Sequence, residues 1–205
     1  MKIVLVNPYP KDSQGLNEAT IYPPIGLAYL ASYLRREGFS EIEIIDANIR
    51  RIANERLLEQ LKQANPDIVG VHMNVVLGGS GVELSRLIRQ ALPAARVFIG
   101  GPLVSSNPVE MLTLSGAEAA VIGEAEERFA EICKGADPAG LPGIAHWRGK
   151  EIEVTPGAPL VADLDDLPFP AYDLLPPLSL YRGRARKKPV GAILTSRGCP
   201  FNCSF

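Results

Sequence analysis

Two thiols carry the plainest chemistry in this sequence. Cys199 and Cys203 stand four apart in the stretch Thr-Ser-Arg-Gly-Cys-Pro-Phe-Asn-Cys-Ser-Phe at 195–205. An apolar run at 190–194 precedes them, so both thiols are expected on a loop that leaves a buried strand, where reactive groups commonly stand. The spacing alone leaves soft-metal ligation and two unrelated thiols both open. A zinc or thiol-redox site fits poorly, because no histidine lies nearby in the chain. The third cysteine, Cys133, shares a helical face with Phe129 and Ile132 and reads as a small buried hydrophobe. His72 closes an apolar run and reads either as a packed, hydrogen-bonded histidine or as a ligand contact, whereas His146 has no implied role.

The elements that must place these groups follow a repeating pattern. Short, nearly continuous apolar runs at 3–7, 41–46, 68–73, 97–100 and 119–122 predict strands covered on both faces, each followed by helical periodicity. Leu27, Leu30 and Leu34 mark a first helix that opens after Pro23-Pro24 and stops at Arg35-Arg36 before Gly38. Leu57, Leu58 and Leu61 mark a second, ended by Asn65-Pro66. A capping box of Ser80 and Glu83 is expected to start a third, carrying Leu84, Leu87, Ile88 and Ala91. Asn107-Pro108 opens a fourth, and 124–132 forms a fifth.

Five such units predict a flavodoxin-like, doubly wound α/β fold whose five parallel strands take the order 2-1-3-4-5, with a ligand at the switch point beside strand one. The loops walling that point are 7–24, 74–79, 100–107 and the Gly123-Glu124 turn, the first long enough to act as a cover. A side chain at Gly100 or Gly101 should obstruct a ligand there. Three ligands are disfavoured on residues. Asn7-Pro8-Tyr9-Pro10 replaces the glycine-rich loop of a dinucleotide site, Asn7 and Asn74 replace the acids of a phospho-acceptor site, and the prolines do not suit a flavin-phosphate loop.

Beyond Gly135 the pattern changes. Residues 143–154 alternate around Gly149-Lys150 as a β-hairpin, and proline-rich residues 156–177 read as a linker without regular structure. The basic cluster of Arg182, Arg184, Arg186, Lys187 and Lys188 reads as a solvated loop. A net charge of -2 gives no electrostatic reason to expect nucleic acid. Three cysteines suit a reducing, cytoplasmic setting better than a disulfide framework. No apolar stretch approaches the roughly 18 residues of a spanning helix, so no transmembrane segment is expected.

Taken in order, several pieces resemble the cobalamin-binding domains that precede many radical S-adenosylmethionine (radical-SAM) domains. They are Asn7-Pro8, Pro23-Pro24-Ile25-Gly26-Leu27-Ala28-Tyr29-Leu30, Ile45-Asp46-Ala47, Pro66-Asp67-Ile68-Val69-Gly70, Gly100-Gly101-Pro102, Gly123-Glu124-Ala125-Glu126, Asp166-Leu167-Pro168-Phe169-Pro170-Ala171 and the cysteine loop. The resemblance implies a cobalamin-binding domain at 1–135, a hairpin and linker at 136–188, and the start of a radical-SAM domain at 189–205. It assigns Asn7, Pro24, Gly26, Leu27, His72, Asn74, Gly100, Gly101, Pro102, Gly123 and Glu124 to cofactor binding. Cys199 and Cys203, with a third cysteine expected just after Phe205, would hold a 4Fe-4S cluster that binds S-adenosylmethionine. This chain alone would then be an inactive fragment.

The reaction so implied is a deoxyadenosyl-radical attack on a small-molecule substrate, fed by an electron donor such as flavodoxin or ferredoxin. Methyl transfer to unactivated carbon or oxidative cyclisation would follow. One departure stands out. Cobalamin domains of the methionine-synthase type carry Asp-x-His-x-x-Gly after strand one, and this chain has no histidine before His72. That absence favours an alternative, a scaffold module that has lost cobalamin and binds substrate or a partner.

Overall fold

The computed structural model describes residues 1–10, 21–157, 160–181, 186–198 and 201. Its centre is a sheet in which β1 (Lys2–Asn7), β2 (Glu41–Asp46), β3 (Ile68–His72), β4 (Arg96–Gly100) and β5 (Ala119–Val121) run parallel. β1 is interior, between β2 and β3, as the order 2-1-3-4-5 requires. The sheet does not stop at five strands. β6 (Ile144–Arg148) pairs antiparallel with β5 and β7 (Glu151–Val154) with β6, so the hairpin extends the sheet to 2-1-3-4-5-6-7.

Helices cover both faces, which is why the interior parallel strands can be nearly continuous apolar runs, whereas the edge strand β2 leaves Glu41 and Glu43 exposed. Ile3, Leu5, Ile68, Phe98 and Val121 face α1 (Ile25–Arg36) and α7 (Glu126–Cys133). Phe98 and Phe129 lock that layer, their rings edge to face at 5.8 Å. Val4, Val6, Val69, Val97 and Ile99 face α3 (Asn54–Ala64), α4 (Gly78–Ala91) and α6 (Pro108–Ser115). Cys133 is buried among the first set, and burial pushes its thiol pKa up to about 12. Its expected role as a packed hydrophobe holds.

Several expectations are corrected. α4 begins two residues before Ser80, after a turn in which Asn74 Oδ1 accepts from the amides of Val76 and Leu77. Ser80 and Glu83 are no capping box, because the Glu83 carboxylate and the Ser80 carbonyl instead accept from Asn54 Nδ2, joining α3 to α4. Two short helices were not foreseen, α2 (Ala47–Arg50), capped by Asp46, and α5 (Pro102–Ser106). The final apolar run forms no strand: Ile193 and Leu194 are exposed, and among the described residues no strand lies alongside to pair with 190–194.

The proline-rich segment contains only isolated 3-10 turns, yet it is docked. Ala171 and Leu175 join the core against α1, and Arg35 holds Asp173 through two hydrogen bonds of 2.7 and 2.9 Å. Tyr181, wholly buried, donates to Asp46 Oδ2 at 2.7 Å. Arg186, Lys187 and Lys188 are exposed, as a solvated loop should be, while Arg182 and Arg184 lie outside the described residues. No described helix is long and apolar enough to cross a membrane.

Candidate binding cleft

At the C-terminal ends of β1, β3, β4 and β5 a cleft of about 690 Å³ opens between α1 and α7, within the range of small-molecule and cofactor sites. Its floor is made by side chains that the register sets side by side: Leu5 beside Gly70, and Gly70 beside Phe98. Gly70 has to be small, because a Cβ there would stand 2.9 Å from Leu5 Cδ2 and 3.4 Å from the Phe129 ring.

All eleven residues expected to bind a cofactor line this cleft. Pro24, Gly26 and Leu27 enter from the first turn of α1, His72 and Asn74 from the end of β3, and Gly100, Gly101 and Pro102 from the β4–α5 turn. Gly123 and Glu124 come from the β5–α7 turn. The two adjacent glycines differ. A Cβ on Gly100 would meet only the Val121 carbonyl, at 3.7 Å, so the space above it is open. Gly101 has φ +111° and ψ 178°, and a Cβ there would fall 2.6 Å from the Met73 carbonyl oxygen and 2.8 Å from His72 Nδ1. That region of backbone space is essentially reserved for glycine.

The polar groups of the cleft are of two kinds. Some are committed: Asn7 Nδ2 donates to Asp46 Oδ1 at 2.8 Å, and Asn74 Oδ1 is used in its turn. Burial raises the Asp46 pKa, against the opposing bonds from Tyr181 and Asn7. Others are open to a ligand. Asn48 Oδ1 is buried in the cleft wall without a hydrogen-bond partner, a state that costs about 1–3 kcal/mol unless a donor arrives. His72 is depressed by burial to about 4, so it is neutral at pH 7 and offers a ring nitrogen rather than a charge.

The cleft also contains residues that sequence reasoning missed. Leu194, Ser196, Arg197 and Gly198 return to it from far along the chain, which no local pattern signals. Asn48 could have been found from Asp46, an N-cap type at a strand end. Cys199 and Cys203, and most of the 7–24 cover, lie outside the described residues. Among the described residues no cluster of three or more metal-binding side chains occurs.

These features fit a flat macrocycle bearing amide groups and a nucleotide tail: an apolar slot, an orphaned acceptor for an amide N–H, and open space over Gly100. Known proteins agree. The B12 binding domain family matches residues 16–133. An uncharacterized methyltransferase of Pyrococcus horikoshii is 33% identical over 100% of this chain and 45% of its own length. The anaerobic magnesium-protoporphyrin IX monomethyl ester cyclase of Cereibacter sphaeroides is 27% identical over 100% of this chain and 34% of its own length. The chain therefore spans less than half of each of these two relatives.

Among solved structures, the radical S-adenosylmethionine methyltransferase TsrM of Kitasatospora setae, with cobalamin and a 4Fe-4S cluster bound, aligns with a TM-score of 0.63. It is 26% identical, over 76% of this chain and 31% of that one. The cobalamin-dependent radical enzyme OxsB shares the fold, with a TM-score of 0.69 at 20% identity over 84% of this chain and 24% of that one. With more than half of its length matched by the family, and a cleft of the right chemistry at the strand ends, this chain belongs to the B12-binding domain family.

Proposed function

We propose that this chain is the cobalamin-holding part of a radical-SAM enzyme that methylates unactivated carbon or carries out a related oxidative cyclisation. The observation that carries the reading is the convergence of all eleven expected residues on one cleft whose wall includes an unpartnered amide oxygen. The two relatives, a methyltransferase and an anaerobic cyclase, support it. Domain limits at 1–135, 136–188 and 189–205 belong to the same reading. So do a small-molecule substrate, a flavodoxin- or ferredoxin-like electron donor and a cytoplasmic setting. Cys199 and Cys203 would be two of the three cluster ligands, with S-adenosylmethionine on the cluster.

Cobalamin bound in the cleft would supply a cobalt centre able to carry a methyl group. The chain's own residues supply binding and placement. Leu5, Phe98 and Phe129 exclude water from the slot, Asn48 Oδ1 accepts from an amide, and the open face of Gly100 admits the tail. Asn7, its amide held by Asp46, shapes the rim rather than reaching for the ligand. Neutral His72 offers a hydrogen-bonding nitrogen without placing a cation beside the macrocycle.

The test is an absorbance titration of hydroxocobalamin into the chain and into Gly100→Val, with thermal unfolding alongside. Binding by the wild type and about tenfold weaker binding by a folded Gly100→Val, equivalent to about 1.4 kcal/mol, is the expected result. Equal affinity would remove the tail from that turn. The absence of any histidine before His72 favours the second reading, a scaffold that has lost cobalamin, and no binding by either protein would establish it over the first.

A further inference from the structure

The Gly123-Glu124-Ala125-Glu126 turn lies at the cleft, but its carboxylates are engaged by the chain itself. Glu126 Oε1 accepts from Arg197 Nη2 at 2.7 Å, and Glu124 Oε1 stands 3.5 Å from Arg197 Nη1. Glu124 Oε2 also accepts from the amide of Val161 at 2.8 Å. The guanidinium carbon sits 5.2 Å from the centre of the Tyr29 ring on α1. This is no loose surface pair, because only 16% of the Arg197 side chain and 7% of the Glu126 side chain are exposed. Burial works against the Arg197 charge, yet Glu126 and Glu124 outweigh it and hold its pKa above the ordinary value. A planar fork that meets two carboxylates while lying over an aromatic face is a task for arginine and not for lysine.

Arg197 stands two residues before Cys199, and two residues of chain reach at most about 7 Å. Leu194, Ser196, Arg197 and Gly198 line the same cleft as the glycine turns. We propose that Arg197 is a positioning residue that clamps the cysteine-bearing loop onto the cofactor domain, so that a ligand in the cleft and the placement of that loop stabilise one another. The proposal rests on the reading of Cys199 as a cluster ligand and of the cleft as a cobalamin site. It reassigns Glu124, with Glu126, from holding the cofactor to holding the loop. Linkage makes the effect reciprocal: a ligand that packs on 194–198 tightens the clamp by the same factor by which the clamp tightens the ligand.

Hydrogen exchange measured by mass spectrometry on the 205-residue chain tests the clamp without any ligand. Arg197→Met, Arg197→Lys and Glu126→Gln should each speed amide exchange over 190–198 by about tenfold, while peptides from β1 and β3 stay unchanged. The Arg197→Met/Glu126→Gln double variant should be no faster than Arg197→Met alone, since losing the guanidinium already removes the Glu126 contact. Wild-type rates in the single variants, or independent additive effects, would overturn the clamp. Hydroxocobalamin then tests the coupling. It should slow exchange over 194–198 in the wild type and bind Arg197→Met more weakly, by up to the factor that it slows exchange. Faster exchange on binding would mean that Arg197 plugs the cleft, and equal affinity would mean no coupling; either refutes the proposal. If no protein binds hydroxocobalamin, the coupling falls with the proposed function, and the ligand-free arm still decides the clamp.

Discussion

Replacing Gly101 by alanine should damage the fold itself, whereas the same change at Gly100 should not. At Gly101 the backbone sits at φ +111° and ψ 178°, where a residue with a Cβ loses about 1–3 kcal/mol. The new atom would also meet the Met73 carbonyl oxygen at 2.6 Å, and relieving such overpacking costs about 1–3 kcal/mol more. The Met73 carbonyl cannot yield freely, because it accepts from the amide of Leu103 at 3.2 Å and so ties β3 to the start of α5. The two costs together, about 2–6 kcal/mol, should lower the Tm by about 5 °C or more for a chain of this size. At Gly100 the backbone is ordinary and the nearest atom is 3.7 Å away, so Gly100→Ala should stay within about 1 kcal/mol of wild type. Differential scanning calorimetry on the three proteins reads the comparison directly. A Gly101→Ala protein that melts within a degree of wild type would refute the account of this turn.

Two further outcomes follow from polar groups in the cleft wall and behind it. His72 is held near 4 in the folded chain against an ordinary 6.5, so the unfolded chain binds its proton first as pH falls, and stability should drop between pH 6.5 and 4. At 1.36 kcal/mol for each pH unit, the loss approaches about 3 kcal/mol. Urea unfolding should show this slope in wild type and lose it in His72→Gln, while the raised Asp46 pKa works in the opposite direction in both. Tyr181→Phe should destabilise the chain by about 1–3 kcal/mol, because a buried Asp46 loses a donor at 2.7 Å. Denaturant midpoints check it, and an unchanged midpoint would show that the docked segment contributes nothing there.

The parallel strands were legible because the interior ones, covered on both faces, run nearly apolar, while the edge strand β2 alternates Glu-Ile-Glu-Ile, and their bounds fall within a residue of the runs read from the sequence. The ligand site was legible for a related reason: Gly100, Gly101, Gly123 and Asn74 sit where strands end, and strand order fixes which ends meet. What could not be read depends on long-range contacts. Glu83 looks like half of a capping box until Asn54, 29 residues away in sequence, takes its carboxylate. Arg197 looks like part of a cysteine loop until Glu126, 71 residues away, claims it. The 190–194 run has the composition of a strand, but composition does not supply a neighbour. Likewise the hairpin was foreseen, while its docking on β5 was not, since β5 contributes only three residues, Ala119–Val121.

That docking decides how the molecule meets its own copies. An open edge at β5 would offer unpaired amides and carbonyls beside three small or apolar side chains, a ready template for pairing with another chain. The hairpin covers it and moves the free margin outward to β7, where Glu151 and Glu153 are exposed. The opposite margin, β2, exposes Glu41 and Glu43. Each margin therefore carries charged pairs, Glu41 with the N-terminal amine, Glu43 with Lys2 and Glu153 with Arg148, and a copy pairing along either edge would have to strip these groups of water, which resists growth into a longer sheet.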